Sequence, residues 1–145
     1  MTQKDKELLL QDLCARLLYK VKCKEVTTLG GVSTIGGYYN GIGGYDFFIE
    51  EIGGCFSMSE IKPYLRPMSS MTKGEKKELE ELKFLYSDGH IATGYQSKDE
   101  PVFVDEVPCI TIIDWLNSHH FDYRGLIEKG LALKAPSNMY DLNEE

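Results

Sequence analysis

The sequence predicts an α+β protein: a small, strongly bent antiparallel sheet or partly open barrel, with an N-terminal helix and a C-terminal helical hairpin. Three observations predict it. Glycine pairs at Gly30-Gly31, Gly36-Gly37, Gly43-Gly44 and Gly53-Gly54 divide a stretch filled with tyrosine, phenylalanine and β-branched residues. Glycine takes positive φ without steric cost, and the residues between the pairs suit a pleated, half-buried surface. On either side of that stretch, capping residues precede apolar residues at helical spacing.

The N-terminal helix, over about 3–18, opens on Thr2 and Asp5, a capping box with Asp in place of the usual Glu. Leu9, Leu10, Leu13, Cys14 and Leu17 form its apolar stripe, with Asp5, Gln11 and Asp12 off it. The β region spans about 21–58. Val21 to Val26 alternates, sending Val21, Cys23 and Glu25 one way and Lys22, Lys24 and Val26 the other. Lysines on a solvent face fit an edge strand. Strands near Val32–Ile35, Tyr38–Tyr39 and Tyr45–Ile52 follow, and a last one runs through Cys55–Met58.

Glu60 to Pro67 holds two prolines, which make it extended or turn-like. Thr72 and Glu75 form a second capping box and open a surface helix over about 73–86. After a turn at Ser87-Asp88-Gly89, Ile91–Tyr95 and Val102–Val104 read as a hairpin. The C-terminal helices occupy about 111–130. Thr111 with Asp114 caps the first and Asp122 caps the second, which ends at Gly130. With no linker or repeat in 145 residues, the expectation is one domain over 1–145.

Sixteen Lys and Arg against 23 Asp and Glu give a net charge of −7 at pH 7. Phosphate neutralisation needs clustered Lys and Arg, so this balance argues against a nucleic-acid polymer as partner. No apolar run approaches the roughly 18 residues that span a bilayer, and the first residues lack a signal-peptide layout. Cys14, Cys23, Cys55 and Cys109 are irregularly spaced in apolar surroundings, without a C-x-x-C pair. They read as reduced structural thiols, and the expected location is cytoplasmic.

Catalytic motifs are missing. Gly41-Ile42-Gly43-Gly44 lacks the third glycine of a dinucleotide fingerprint, and Gly31 and Gly36 lack the Lys and Ser or Thr of a Walker motif. Glu50 and Glu51 are adjacent on a strand, so they face opposite sides. His119 and His120 on a helix point ~100° apart and suit a helix end rather than a metal. The expectation is therefore no catalytic residue, no metal and no cofactor. The candidate ligand-binding residues are Tyr38, Tyr39, Asn40, Tyr45, Lys62, Tyr64, Arg66 and Arg124. Tyrosine faces stack on a planar group, glycine lets a ligand approach the backbone, and the cations hold negative charge. The plainer reading leaves the glycines to turns and the tyrosines to sheet cover.

Three blocks carry a resemblance. They are Asp12-Leu13-Cys14-Ala15-Arg16-Leu17, Ile61 through Thr72, and Asp114-Trp115-Leu116-Asn117 with His119 through Leu131. Together they resemble short uncharacterised proteins of Bacteroides-type gut bacteria and their phages or mobile elements. The resemblance implies a mobile-element setting and supplies no site residues. The reading drawn from composition and setting is a non-catalytic protein that sequesters a small anionic planar ligand such as a signalling nucleotide. The alternative is a protein-interaction module, an inhibitor or adaptor of a host protein. Exposed strand edges also allow a homodimer.

Overall fold

The structure, a computed structural model, describes residues 1–25, 31–41, 44–87 and 106–140. The chain falls into two compact units, Met1–Met68 with His119–Glu145, and Ser69–Ser118. The fold is α+β with an open sheet, not a closed barrel. The hairpin expected at Ile91–Tyr95 and Val102–Val104 lies outside the described residues, as do the Gly30 and Gly43 turn positions.

In the first unit, α1 spans Gln3–Ala15 and opens on the predicted capping box. Thr2 Oγ1 accepts from Asp5 N at 3.1 Å, and Asp5 Oδ2 accepts from Thr2 N at 3.1 Å. Among the described residues six strands follow: β1 Lys22–Glu25, β2 Ser33–Gly41, β3 Gly44–Ile49, β4 Gly54–Ser57, β5 Ile61–Leu65 and β6 Leu133–Lys134. Their order in the sheet is β4-β3-β2-β1-β5-β6, antiparallel except where β6 joins β5 in parallel.

One face of this sheet forms the core. Val21, Cys23, Ile35, Phe47, Ile49, Ile61 and Leu65 bury there with Leu9 and Leu13 of α1 and with Leu126, Leu131 and Ala132. Burial of a large apolar side chain is worth about 1.5–3 kcal/mol, so this face anchors the unit. The alternation predicted for β1 holds, with Val21, Cys23 and Glu25 inward. Its place in the sheet does not: β1 lies between β2 and β5. Alternating lysines report a solvent-facing side of a strand, and an interior strand has one too.

The glycine punctuation is corrected in part. Gly36-Gly37 is no turn. β2 runs straight through it with a bulge, Ile35 pairing with Ile49 and Gly37 with Phe48. A Cβ at Gly36 would meet Glu50 Cγ at 2.6 Å, so the pair admits a crossing side chain. The bulge adds one residue and so reverses the facing of everything beyond it. Gly53 (φ +76°) does turn the chain between β3 and β4.

The segment expected to be merely extended at Pro63 is β5, an interior strand. Pro63 lies opposite Cys23 of β1, while β6 pairs only with Tyr64 and Leu65, so no ladder partner on β6 meets the missing N–H.

The second C-terminal helix, expected within 111–130, is also corrected. Residues 122–132 form turns, because Gly125 (φ +74°) takes a left-handed conformation where a helix must continue. Asp122 still caps: its carboxylate accepts from Leu126 N at 2.8 Å and Ile127 N at 2.9 Å. From His119 onward the chain is strapped along β5. Arg66 N donates to His120 O, Asp122 N to Arg66 O and Ala135 N to Leu65 O, each at 2.8 Å. Tyr140 closes the strap, its hydroxyl accepting from Lys22 N and donating to Tyr64 O, both at 2.8 Å. That hydroxyl sits one row beyond the Cys23–Pro63 pairing and extends the β1–β5 ladder.

In the second unit, α2 spans Lys73–Ser87 and α3 spans Glu106–Ser118, and the two helices contact each other. The Thr72–Glu75 capping box is present, with Thr72 N to Glu75 Oε1 at 2.9 Å and Glu75 N to Thr72 Oγ1 at 3.1 Å. Thr111 does not cap α3. The helix begins five residues earlier, at Glu106.

Tyr140→Phe keeps the ring and removes the bridging hydroxyl, leaving Lys22 N–H and Tyr64 C=O without it. The expected loss is about 1–3 kcal/mol in urea unfolding, with faster amide exchange at Lys22. A loss under about 0.5 kcal/mol with unchanged exchange at Lys22 contradicts the strap.

Candidate functional site

Eight residues were expected to form one ligand site, and the fold divides them among three places. The first is the sheet face opposite the core. Strand alternation puts Lys62 and Tyr64 of β5 there, with Lys22 and Lys24 of β1. Lys24 and Lys62 are direct cross-strand partners. Cross-strand neighbours lie about 5 Å apart and diagonal ones about 7–8 Å, so Tyr64 has three lysines around it. Neither Lys24 nor Lys62 has an ion-pair partner among the described residues. Lys22 donates to Thr34 Oγ1 at 2.9 Å, and Thr34 in turn donates to Glu51 from Oγ1 at 2.8 Å and from N at 2.6 Å. Burial, the largest single effect, raises the Glu51 pKa, but the two Thr34 bonds, a bond to its own backbone and the Lys22 charge together outweigh it and hold the carboxyl below its usual range. Tyr39 shares this face beyond the bulge, but it stands five residues past Thr34 on β2, roughly 16 Å at strand rise.

The second place is the far end of the β2–β3 hairpin, on the core side but past the core. Tyr38, Asn40 and Tyr45 lie here. Tyr38 and Tyr45 are 52% and 36% exposed, and their rings tilt at 46° with centroids 6.0 Å apart. Without the bulge, Tyr39 and not Tyr38 would have joined this set.

The third place takes the arginines. Asp12 of α1 and Arg16, the residue that caps its C-terminal end, are both fully buried and joined by two bonds, Nε to Oδ2 at 2.8 Å and Nη2 to Oδ1 at 3.0 Å. Arg16 Nη2 also donates to Phe121 O at 2.6 Å. Arg124 approaches the same Asp12 at 3.4 Å and lies over the Tyr123 ring. Arg66 lies over the Phe121 ring at 4.2 Å and donates to His119 O. Arg66 and Arg124 therefore serve the strap around residues 119–124.

His120 sits within this third place at φ +64° and 6% exposed, its ring stacked on Tyr140 at 3.7 Å and 12°. Burial, then the positive charges of Arg16, Arg66, His119 and Lys22, lowers its pKa to about 3, so the imidazole is neutral. The pair does stand at the helix end expected for it, directly after Ser118 of α3, but His120 is neutral there and puts no positive charge on the terminal carbonyls. Burial also pushes the Cys23 thiol up to about 12, aided by Glu25 and Glu51. Cys14, Cys23 and Cys55 are free thiols. Among the described residues, no three His, Cys, Asp or Glu side chains come together as metal ligands.

Sequence reasoning missed Asp12, Arg16 and Tyr140, and it singled out His120 without finding that it is buried and neutral. The i, i+4 spacing of Asp12 and Arg16 was visible, and two opposite charges there can pair. Nothing local marks Tyr140, whose partners are 76 and 118 residues away.

No family model, curated protein or solved structure matches the chain. No helix among the described residues is long and apolar enough to cross a membrane.

Two outcomes follow for the buried cluster. Asp12→Ala leaves Arg16 buried without its carboxylate, with an expected loss of about 3–5 kcal/mol in denaturant unfolding. Joint replacement by Asp12→Leu and Arg16→Met recovers part of it, whereas an exposed pair would show neither effect. The second outcome concerns pH. An unfolded chain protonates His120 below its ordinary 6.5, but the folded chain resists until about 3. Stability is therefore lost as pH falls from 6.5 towards 3, at up to about 1.4 kcal/mol per pH unit. The slope between pH 6.5 and 4.5 should flatten in His120→Asn, a residue that tolerates left-handed backbone. An unchanged slope would place the titration elsewhere.

Proposed function

We propose that the protein is a non-catalytic, cytoplasmic binding protein of phage or mobile-element origin that sequesters a small planar anion. A signalling nucleotide is the model ligand. The ligand lies on the sheet face around Tyr64, its ring against the tyrosine and its charge between Lys24, Lys62 and Lys22. The sequence blocks that resemble short proteins of gut bacteria and their phages support the setting.

One observation carries the reading: Lys24 and Lys62 stand directly opposite each other on an interior strand pair. Like charges so placed cost about 0.2–1 kcal/mol, and a chain with a net charge of −7 has carboxylates to spare. A bound anion relieves the repulsion, which gives the arrangement a use. Tyr39 is too distant to share this ligand, and Arg66 and Arg124 are engaged elsewhere.

A second reading is a protein-interaction module. The exposed Tyr38–Tyr45 pair at the hairpin end favours it. Docking there would be lost in Tyr38→Ala with Tyr45→Ala and untouched by changes at Lys62.

Calorimetric titration with mono-, di- and cyclic nucleotides tests the first reading. At least one should bind saturably, and Lys62→Glu should weaken it about tenfold or more. The same substitution replaces the lysine–lysine pair with an ion pair, so thermal stability should rise slightly while affinity falls. No binding at high micromolar concentration, or affinity unaffected by Lys62→Glu, discards the reading.

A further inference from the structure

Among the described residues, two buried side chains of the first unit carry nitrogens without a hydrogen-bond partner. Arg16 is fully buried. Its Nε and Nη2 are bonded to Asp12 and Phe121, while Nη1 has no hydrogen-bond partner. His120 Nδ1, also buried, has none either. Native interiors fill such positions, because an unmet buried N–H loses its water without replacement.

The two nitrogens belong to one locality. Arg16 Nη2 bonds the carbonyl of the residue that follows His120. Tyr140, stacked on the imidazole, also feels the Arg16 charge. The backbone holds His120 in a left-handed conformation that few side chains adopt, and the strap fixes it through Arg66 N on His120 O. The two donors are therefore held in place before any ligand arrives.

Charge selects the occupant. Arg16, Arg66, Arg124 and Lys22 surround the locality, against Asp12 and Asp122. Asp122 is already occupied by two backbone amides, and Asp12 by two arginines. A cation or amine would add to the surplus. A neutral imidazole in its Nδ1–H form and the spare guanidinium N–H are both donors. The Tyr140 ring at 3.7 Å covers one face of the imidazole, so a ligand meets Nδ1 in the plane of the ring.

We propose that Arg16 Nη1 and His120 Nδ1 together bind one small anion of carboxylate type inside the fold. The donors of this site are Arg16 and His120, whereas the nucleotide reading rests on Lys24, Lys62 and Tyr64; Lys22 borders both.

Sodium formate is the probe, titrated into the full chain at constant ionic strength against sodium gluconate, a much bulkier carboxylate of the same charge. Formate should raise the thermal midpoint saturably and shift the His120 ring nitrogens in ¹⁵N spectra along the same curve. His120→Phe keeps a ring against Tyr140 and removes the donor, so formate affinity should fall about tenfold. Lys62→Glu should leave the formate response intact, so this site and the nucleotide site fail separately. A midpoint that follows ionic strength alone overturns the proposal, as does an undiminished formate response in His120→Phe. If His120→Phe does not fold, the wild-type nitrogen titration decides: a saturable shift supports the site and unmoved resonances overturn it.

Discussion

The buried Asp12–Arg16 pair is the constraint on which the first unit depends. Two ions taken out of water cost several kcal/mol each, and the cost is recovered only where geometry is good and the remaining hydrogen-bonding groups are met. Both conditions shape what surrounds the pair. Two bonds align guanidinium and carboxylate, and a third, from Nη2 to Phe121 O, requires the chain after α3 to return to α1. That return brings Arg66, His120, Phe121 and Asp122 into one band, and Arg124 back onto Asp12. Packing of Leu9 and Leu13 on the sheet would hold α1 in place by itself. The ion pair additionally dictates which segment lies beside it, since apolar contacts are non-directional and a buried guanidinium is not.

A second constraint acts on the sheet. Glu50 crosses over Gly36 to reach Lys20 at 2.7 Å, and β2 bulges where it does so. The ion pair itself is exposed and contributes little energy. Its effect is geometric. The added residue reverses side-chain facing for the rest of β2, sending Tyr39 to the lysine face and Tyr38 to the side of Tyr45. Aromatic groups that look equivalent in sequence thus end on opposite faces.

Much of the fold was legible in the sequence because its signals are local. Both capping boxes, the alternation of β1 and the positive φ of Gly53 each depend on residues within a few positions. The errors come from information that is not local. Nothing within Gly36-Gly37 distinguishes a turn from a bulge, since Glu50 decides it. Pro63 looks hostile to a strand until the neighbouring ladder is known to start one residue later. The helical pattern over 123–129 is real in its apolar spacing, yet Gly125 and the Asp122 carboxylate favour turns. The candidate site fared likewise: Lys62 and Tyr64 stay together on one strand and Tyr38, Asn40 and Tyr45 on one hairpin, while the two arginines gather at a third place, apart from both.

Tyr140 joins the two charged places of this unit. Its hydroxyl completes the β1–β5 ladder beside Lys22 and Tyr64, and its ring stacks on His120. Burial raises the phenol pKa above its usual value, so the hydroxyl keeps the proton that it donates to Tyr64 O. Displacing the ring would uncover a neutral histidine surrounded by cations and would break the strand row that carries Tyr64. Water reaching His120 would weaken the desolvation that keeps it neutral, and its protonation would then add a fifth positive charge to Arg16, Arg66, Arg124 and Lys22. The strap is therefore held closed from both sides, by a hydrogen-bond row that needs the hydroxyl and by a cationic interior that disfavours exposing His120.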